Sequence, residues 1–149
     1  MGHGRIQAGI FIALILFLTS ENLRAETPVS IRWQTDILKA KVESEAEKRP
    51  LLLYVYSDGC AYCKKMLRDT YSDQSIISEV EQHFVPATVN YSDHPDWVRQ
   101  LKVRSFPTTV LISSDWEMVD SVEGYMAPNR FRQWLERSTA KLEGNTVKR

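Results

Sequence analysis

Leu51-Leu52-Leu53-Tyr54-Val55-Tyr56-Ser57-Asp58-Gly59-Cys60-Ala61-Tyr62-Cys63-Lys64-Lys65-Met66-Leu67 decides the fold. The first six residues form an apolar run with Val and Tyr in it, the pattern of a central strand buried on both faces. Ser57-Asp58-Gly59 supplies turn chemistry. From Ala61 onward the chain reads as a helix, so the order is strand, tight turn, helix. Cys60 and Cys63 are the only cysteines in 149 residues. Two residues between cysteines in such a turn is the spacing of a redox dithiol. Cys60 falls at the helix N-terminus, where the dipole favours a thiolate. Cys63 sits one turn further on.

Outward from that segment, Gln34–Lys48 predicts a helix with Ile37, Leu38, Val42 and Ala46 on one apolar face, stopped by Arg49-Pro50. Ile31–Trp33 reads as a short edge strand or a helix start. Ser72–Ser75 carries N-cap chemistry for a helix running to about His83. Phe84–Val89 reads as a strand, with Pro86 marking an edge or an irregular start. A short helix is expected over Asp96–Leu101. Thr109–Ile112 and Glu117–Val122 form an antiparallel hairpin. A last amphipathic helix turns Phe131, Trp134, Leu135 and Leu142 inward. Parallel strands joined by helices and closed by a hairpin give an α/β sheet covered on both faces. The four tryptophans, Trp33, Trp97, Trp116 and Trp134, read as core or edge anchors.

Residues 1–25 carry a different pattern. Arg5 gives a positive start, Ala8–Leu18 is an unbroken apolar run, and Ala25 is a small residue suited to cleavage. That is the pattern of a signal peptide. Leu23 at the −3 position fits less well than alanine, so an uncleaved anchor is the alternative, although the run is shorter than a spanning helix needs. The domain proper is expected over residues 26–149, exported to a periplasmic or other extracytoplasmic compartment. In an oxidising compartment a lone Cys-x-x-Cys is either a staple or a working redox pair. So small a loop gains little entropy on closure, which argues against the staple.

Nineteen basic and nineteen acidic side chains leave no net charge and no basic block. Nothing points to nucleic acid or an anionic membrane surface. Metal binding is not expected, because two thiolates need two further ligands and His83 and His94 lie in separate elements. No cofactor is expected beyond the Cys60–Cys63 disulfide itself. Asn90-Tyr91-Ser92 is a glycosylation sequon, meaningful in a host that glycosylates exported proteins.

The segment order, Cys60-Ala61-Tyr62-Cys63 after a central strand, and Phe106-Pro107-Thr108 before a hairpin together resemble the thioredoxin fold, a mixed central sheet with helices on both faces. Trp33-x-x-Asp36, Lys48-Arg49-Pro50 and Tyr71-Ser72-Asp73 add to the likeness. It is closest to secreted thioredoxin-related proteins and to the C-terminal thioredoxin-like domain of the DsbD reductant carrier. The resemblance implies that Pro107 is cis and faces the disulfide, leaving a backbone edge on which an extended substrate segment pairs. Phe106, Tyr62 and Ala61 are the accompanying candidates for substrate contact. Cys60 is the candidate attacking group and Cys63 the resolving one. The partners implied are exported protein thiols and disulfides, with a membrane electron donor behind them, and a monomer is expected. Reductase-type electron delivery is the first expectation; an oxidase or isomerase, or a non-catalytic binding module, is the alternative.

Two departures stand out. Gly59 precedes Cys60 where many thioredoxins carry tryptophan, and Tyr54 stands where thioredoxin has a buried aspartate. Asp58, two residues before Cys60, opposes a thiolate there, whereas Lys64 and Lys65 favour one through solvent.

Overall fold

The structure is a computed structural model that describes residues 28–146. The expected leader over residues 1–25 lies outside the described residues. The elements are α1 (Ile37–Glu47), β1 (Leu51–Tyr56), α2 (Ala61–Asp69), α3 (Gln74–His83), β2 (Val85–Asn90), α4 (Pro95–Gln100), β3 (Thr108–Ile112), β4 (Met118–Glu123) and α5 (Pro128–Thr146). The four strands lie in the order β2-β1-β3-β4. β1 runs parallel to β2 and antiparallel to β3, and β3 pairs antiparallel with β4.

The alternation of β1 sorts the core into two halves. Leu51, Leu53 and Val55 point to one side, where Val85, Ala87, Val89, Val110 and Ile112 join them under Ala40 of α1 and Val98 of α4. Leu52 and Tyr54 point to the other, beneath Met66 of α2, Ile76 and Val80 of α3, and Phe131, Trp134 and Leu135 of α5. Both faces of β1 are therefore buried, which is why the run reads as continuously apolar.

The local signals explain the joints. Asp36 caps α1 by accepting from the amides of Leu38 and Lys39, and Lys48 closes it in the left-handed region at φ 55°. Asp73 caps α3 in the same way through Ser75 and Ile76. Pro86 sits on the outer edge of the sheet. Its carbonyl accepts from Gln34 N–H at 2.9 Å, and Thr88 N–H donates to Gln34 at 2.8 Å. The amide hydrogen that proline lacks would point to this same outer side, so the β1–β2 ladder loses nothing. The short edge strand or helix start expected over Ile31–Trp33 gives only an isolated bridge one residue later, at Gln34.

One expectation fails. α1 does not bury the face formed by Leu38, Val42 and Ala46. Leu38 is 75% exposed and Val42 65%, whereas Ala40 and Ser44 are buried. Small residues let α1 approach β2 closely, and the larger apolar side chains are left on the outside. Ser44 Oγ donates to Arg49 C=O at 2.5 Å, which satisfies the hydroxyl at the contact.

Candidate functional site

The end of β1 delivers the two cysteines. Cys60 N–H bonds back to Ser57 C=O at 3.4 Å, closing a turn over Asp58 and Gly59. Gly59 has φ +72°, a conformation other residues resist. Cys60 is then the N-cap of α2, and its sulfur accepts from Cys63 N–H at 3.0 Å. A free amide of the first helical turn thus points at Sγ, the arrangement that stabilises negative charge on sulfur. Cys60 and Cys63 form a disulfide, with Cα atoms 5.2 Å apart. The two sulfurs differ in access: Cys63 is only 2% exposed, while Cys60 is half-buried.

The segment before β3 lies at the same end of the sheet. Val55 pairs with Thr108. The register, carried one step further, sets Pro107 opposite Tyr56, four residues before Cys60. The Phe106–Pro107 peptide is cis. Pro107 is buried, and its carbonyl accepts from Gly124 N–H at 2.6 Å. Phe106 is half-buried, packs against both halves of the core, and lies 5.3 Å from the Tyr91 ring. Tyr62 is 64% exposed and Ala61 is exposed. Cys60 and Phe106 border the same core cluster, whereas Tyr62 and Ala61 stand out from α2 into solvent.

Two of the nearby charges, Asp58 and Lys65, are tied to other groups. Asp58 accepts from Asn90 Nδ2 at 2.9 Å and from Ser92 Oγ at 3.1 Å. Both donors are neutral, and together they fix the position of the carboxylate. The same contacts engage both polar side chains of the sequon. Lys65 pairs with Asp69 and lies 4.0 Å over the Tyr125 ring, which commits it away from the sulfurs.

Sequence reasoning places no role in the site on one residue near the sulfurs. Tyr54 is 1% exposed, and its hydroxyl donates to Cys63 C=O at 3.0 Å. Its ring stacks on Tyr56 at 5.9 Å, meets Tyr71 edge to face and lies tilted against Trp33. Burial, reinforced by Tyr56, pushes its ionisation well above the usual phenol range. Burial does the same for Tyr71, whose hydroxyl lies 2.6 Å from Thr109 Oγ1. The signal in the sequence is a phenol in the middle of an apolar strand, on the side of β1 that faces α2.

Among the described residues no three His, Cys, Asp or Glu side chains come together to hold a metal, and no helix is long and apolar enough to cross a membrane. A Cys-x-x-Cys disulfide capping a helix, one sulfur accessible and the other buried, is equipment for thiol–disulfide exchange.

Known proteins agree with this geometry. Among curated sequences, the thiol:disulfide interchange protein DsbD of Yersinia pestis (strain Pestoides F) is 25% identical over 104 residues, 66% of this chain and 18% of its own length. The chain thus spans under a fifth of that relative. Among solved structures, a thioredoxin from Thermus thermophilus superposes with a TM-score of 0.69 at 26% identity, over 76% of this chain and 90% of its own. The C-terminal domain of Neisseria meningitidis DsbD in the reduced form superposes at 0.59 and 19% identity, over 68% and 94%, a likeness of fold. The thioredoxin-like domain model matches residues 38–139, from α1 into α5 and across both cysteines. With the mixed sheet, the capped disulfide and this match in hand, the chain belongs to the thioredoxin-like domain family.

Proposed function

We propose that this chain is an exported thiol–disulfide oxidoreductase that carries electrons to the disulfides of exported client proteins. The observation that carries the reading is the unequal pair: a partly exposed Cys60 at the cap of α2 and a buried Cys63 one turn in. In the reduced protein Cys60 attacks a client disulfide and forms a mixed disulfide. Cys63 then displaces the client thiol and closes the internal bond. The cis-Pro107 segment offers an edge for an extended client strand, with Phe106, Tyr62 and Ala61 as contact residues. Reductase-type delivery, fed by a membrane donor, is supported by similarity to the interchange protein DsbD. Export is supported by the apolar run Ala8–Leu18 behind Arg5. The chemistry needs no cofactor or metal beyond the disulfide, and the exchange centre serves a monomer.

The test is catalysed reduction of insulin disulfides by dithiothreitol. The protein should accelerate the reaction, and Cys60→Ser should remove the acceleration entirely. A protein that forms no mixed disulfide and gives no acceleration would leave a binding module as the account.

A further inference from the structure

Tyr54 places a buried hydroxyl against the cysteine that must finish the exchange. A phenol in a core must satisfy its polar atom, and this one does so on Cys63 C=O. It does so from β1, the central strand, with its ring held by Trp33, Tyr56 and Tyr71. The ring is thus immobile on three sides. The hydrogen bond ties the first turn of α2 to an inner strand of the sheet.

Cys63 is almost fully covered. Among the described residues the buried polar side chains of the core are hydroxyls, with no carboxylate and no basic group. Cys63 therefore works without a neighbouring buried base, and its effectiveness depends on where its sulfur is held. Orientation of this kind governs the rate of an intramolecular displacement.

We propose that Tyr54 is a positioning residue for Cys63, holding it aligned on Cys60 so that mixed disulfides resolve quickly. This rests on the exchange reading above. In the step concerned, Cys63 loses its proton to solvent and its sulfur bonds to Cys60 Sγ. The bond from Cys60 to the partner sulfur breaks, and the partner leaves as a thiolate that takes a proton from solvent. Cys63 and Cys60 together are oxidised by two electrons, and the partner half is reduced.

The test uses oxidised glutathione as the partner. Reduced protein is mixed with it, quenched at intervals, and the Cys60–glutathione adduct is followed by mass spectrometry. Tyr54→Phe keeps the ring and removes the hydroxyl. It should slow resolution about fivefold, the scale of one lost hydrogen bond, while adduct formation is unchanged. Tyr71→Phe is the control. It removes a hydroxyl from the same ring cluster, but that hydroxyl bonds to Thr109. It should lower the melting temperature without slowing resolution. An unchanged rate in Tyr54→Phe, or equal slowing in Tyr71→Phe, would overturn the proposal.

A second measurement does not need the variant to fold. The Tyr54 hydroxyl proton should remain hydrogen-bonded in the NMR spectrum of reduced wild-type protein, and its release to solvent on reduction would overturn the proposal. If oxidised glutathione never converts reduced wild-type protein to the Cys60–Cys63 disulfide, it is the exchange reading that fails.

Discussion

The two sides of the sheet are built from different chemistry. Beneath α1 and α4 the core is aliphatic: Leu51, Leu53, Val55, Val85, Val89, Val110 and Ile112. Beneath α2, α3 and α5 rings and sulfur join the aliphatic residues: Tyr54, Tyr71, Phe131, Trp134, Met66 and Cys63 stand among Leu52, Ile76, Val80 and Leu135. One strand separates them, and its residues alternate between the two. Aliphatic side chains fill space and make no directed contacts, so that side mainly holds the sheet together. The other side carries hydroxyls with fixed partners, and it is where the disulfide enters the core. The lesson is that the α/β layout leaves one side free to be scaffold while the other takes on polar groups beside the sulfurs.

Cutting into the scaffold side should give the largest change in stability. Leu53 is fully buried among aliphatic neighbours. Leu53→Ala should cost about 2–5 kcal/mol in urea unfolding. The equilibrium of the Cys60–Cys63 pair with glutathione should stay where it was. A shifted equilibrium would mean that the aliphatic side also sets the redox chemistry.

A smaller effect should come from the cap that seats α3 on the aromatic side. The Ser75 hydroxyl, then the Ile76 and Ser75 amides and Arg132, hold the Asp73 carboxyl below the usual carboxylate range against a smaller opposing effect of burial. A carboxyl lowered in the folded state stabilises fully above its unfolded value, and the gain is lost as pH falls through the folded value. Asp73→Ala should therefore cost about 1 kcal/mol at neutral pH. The gap from wild type should narrow in acid, as unfolding curves at several pH values would show. A gap that is constant with pH would assign the cost to the helix break alone.

The smallest effect should be on the outside of α1. Leu38 is exposed, so Leu38→Ser should change stability by no more than about 0.5 kcal/mol. A large loss by thermal unfolding would show that the strip is covered in the folded protein and would restore the inward face that its spacing suggests.

Most of the layout is legible in the amino-acid sequence. β1 is legible because a strand buried on both sides has no polar break. The cap at Asp73 and the turn at Gly59 are legible because each meets a specific backbone need, whereas the cap at Asp36 is not, since the helix expected from Gln34 starts only at Ile37. The face of α1 is not, because helix and sheet meet through Ala40 and Ser44, and small contact residues carry little hydrophobic signal. In the site, the cysteines stand out by residue type, and Pro107 only through the likeness of Phe106-Pro107-Thr108 to the thioredoxin segment. The place of Tyr54 does not, because a hydrogen bond from a strand to a carbonyl of the next helix depends on how the helix is laid across the sheet. Nor does the anchoring of Asp58, whose partners Asn90 and Ser92 lie more than thirty positions away.

The central claim is that Cys60 and Cys63 form the working pair of a reductant. The reduction potential of that pair, measured against a glutathione or thioredoxin buffer, tests it most directly. The account predicts about −250 mV or lower, near thioredoxin. A value of about −120 to −180 mV, the range of DsbA and protein disulfide isomerase, would contradict it and assign the protein to disulfide formation or isomerisation.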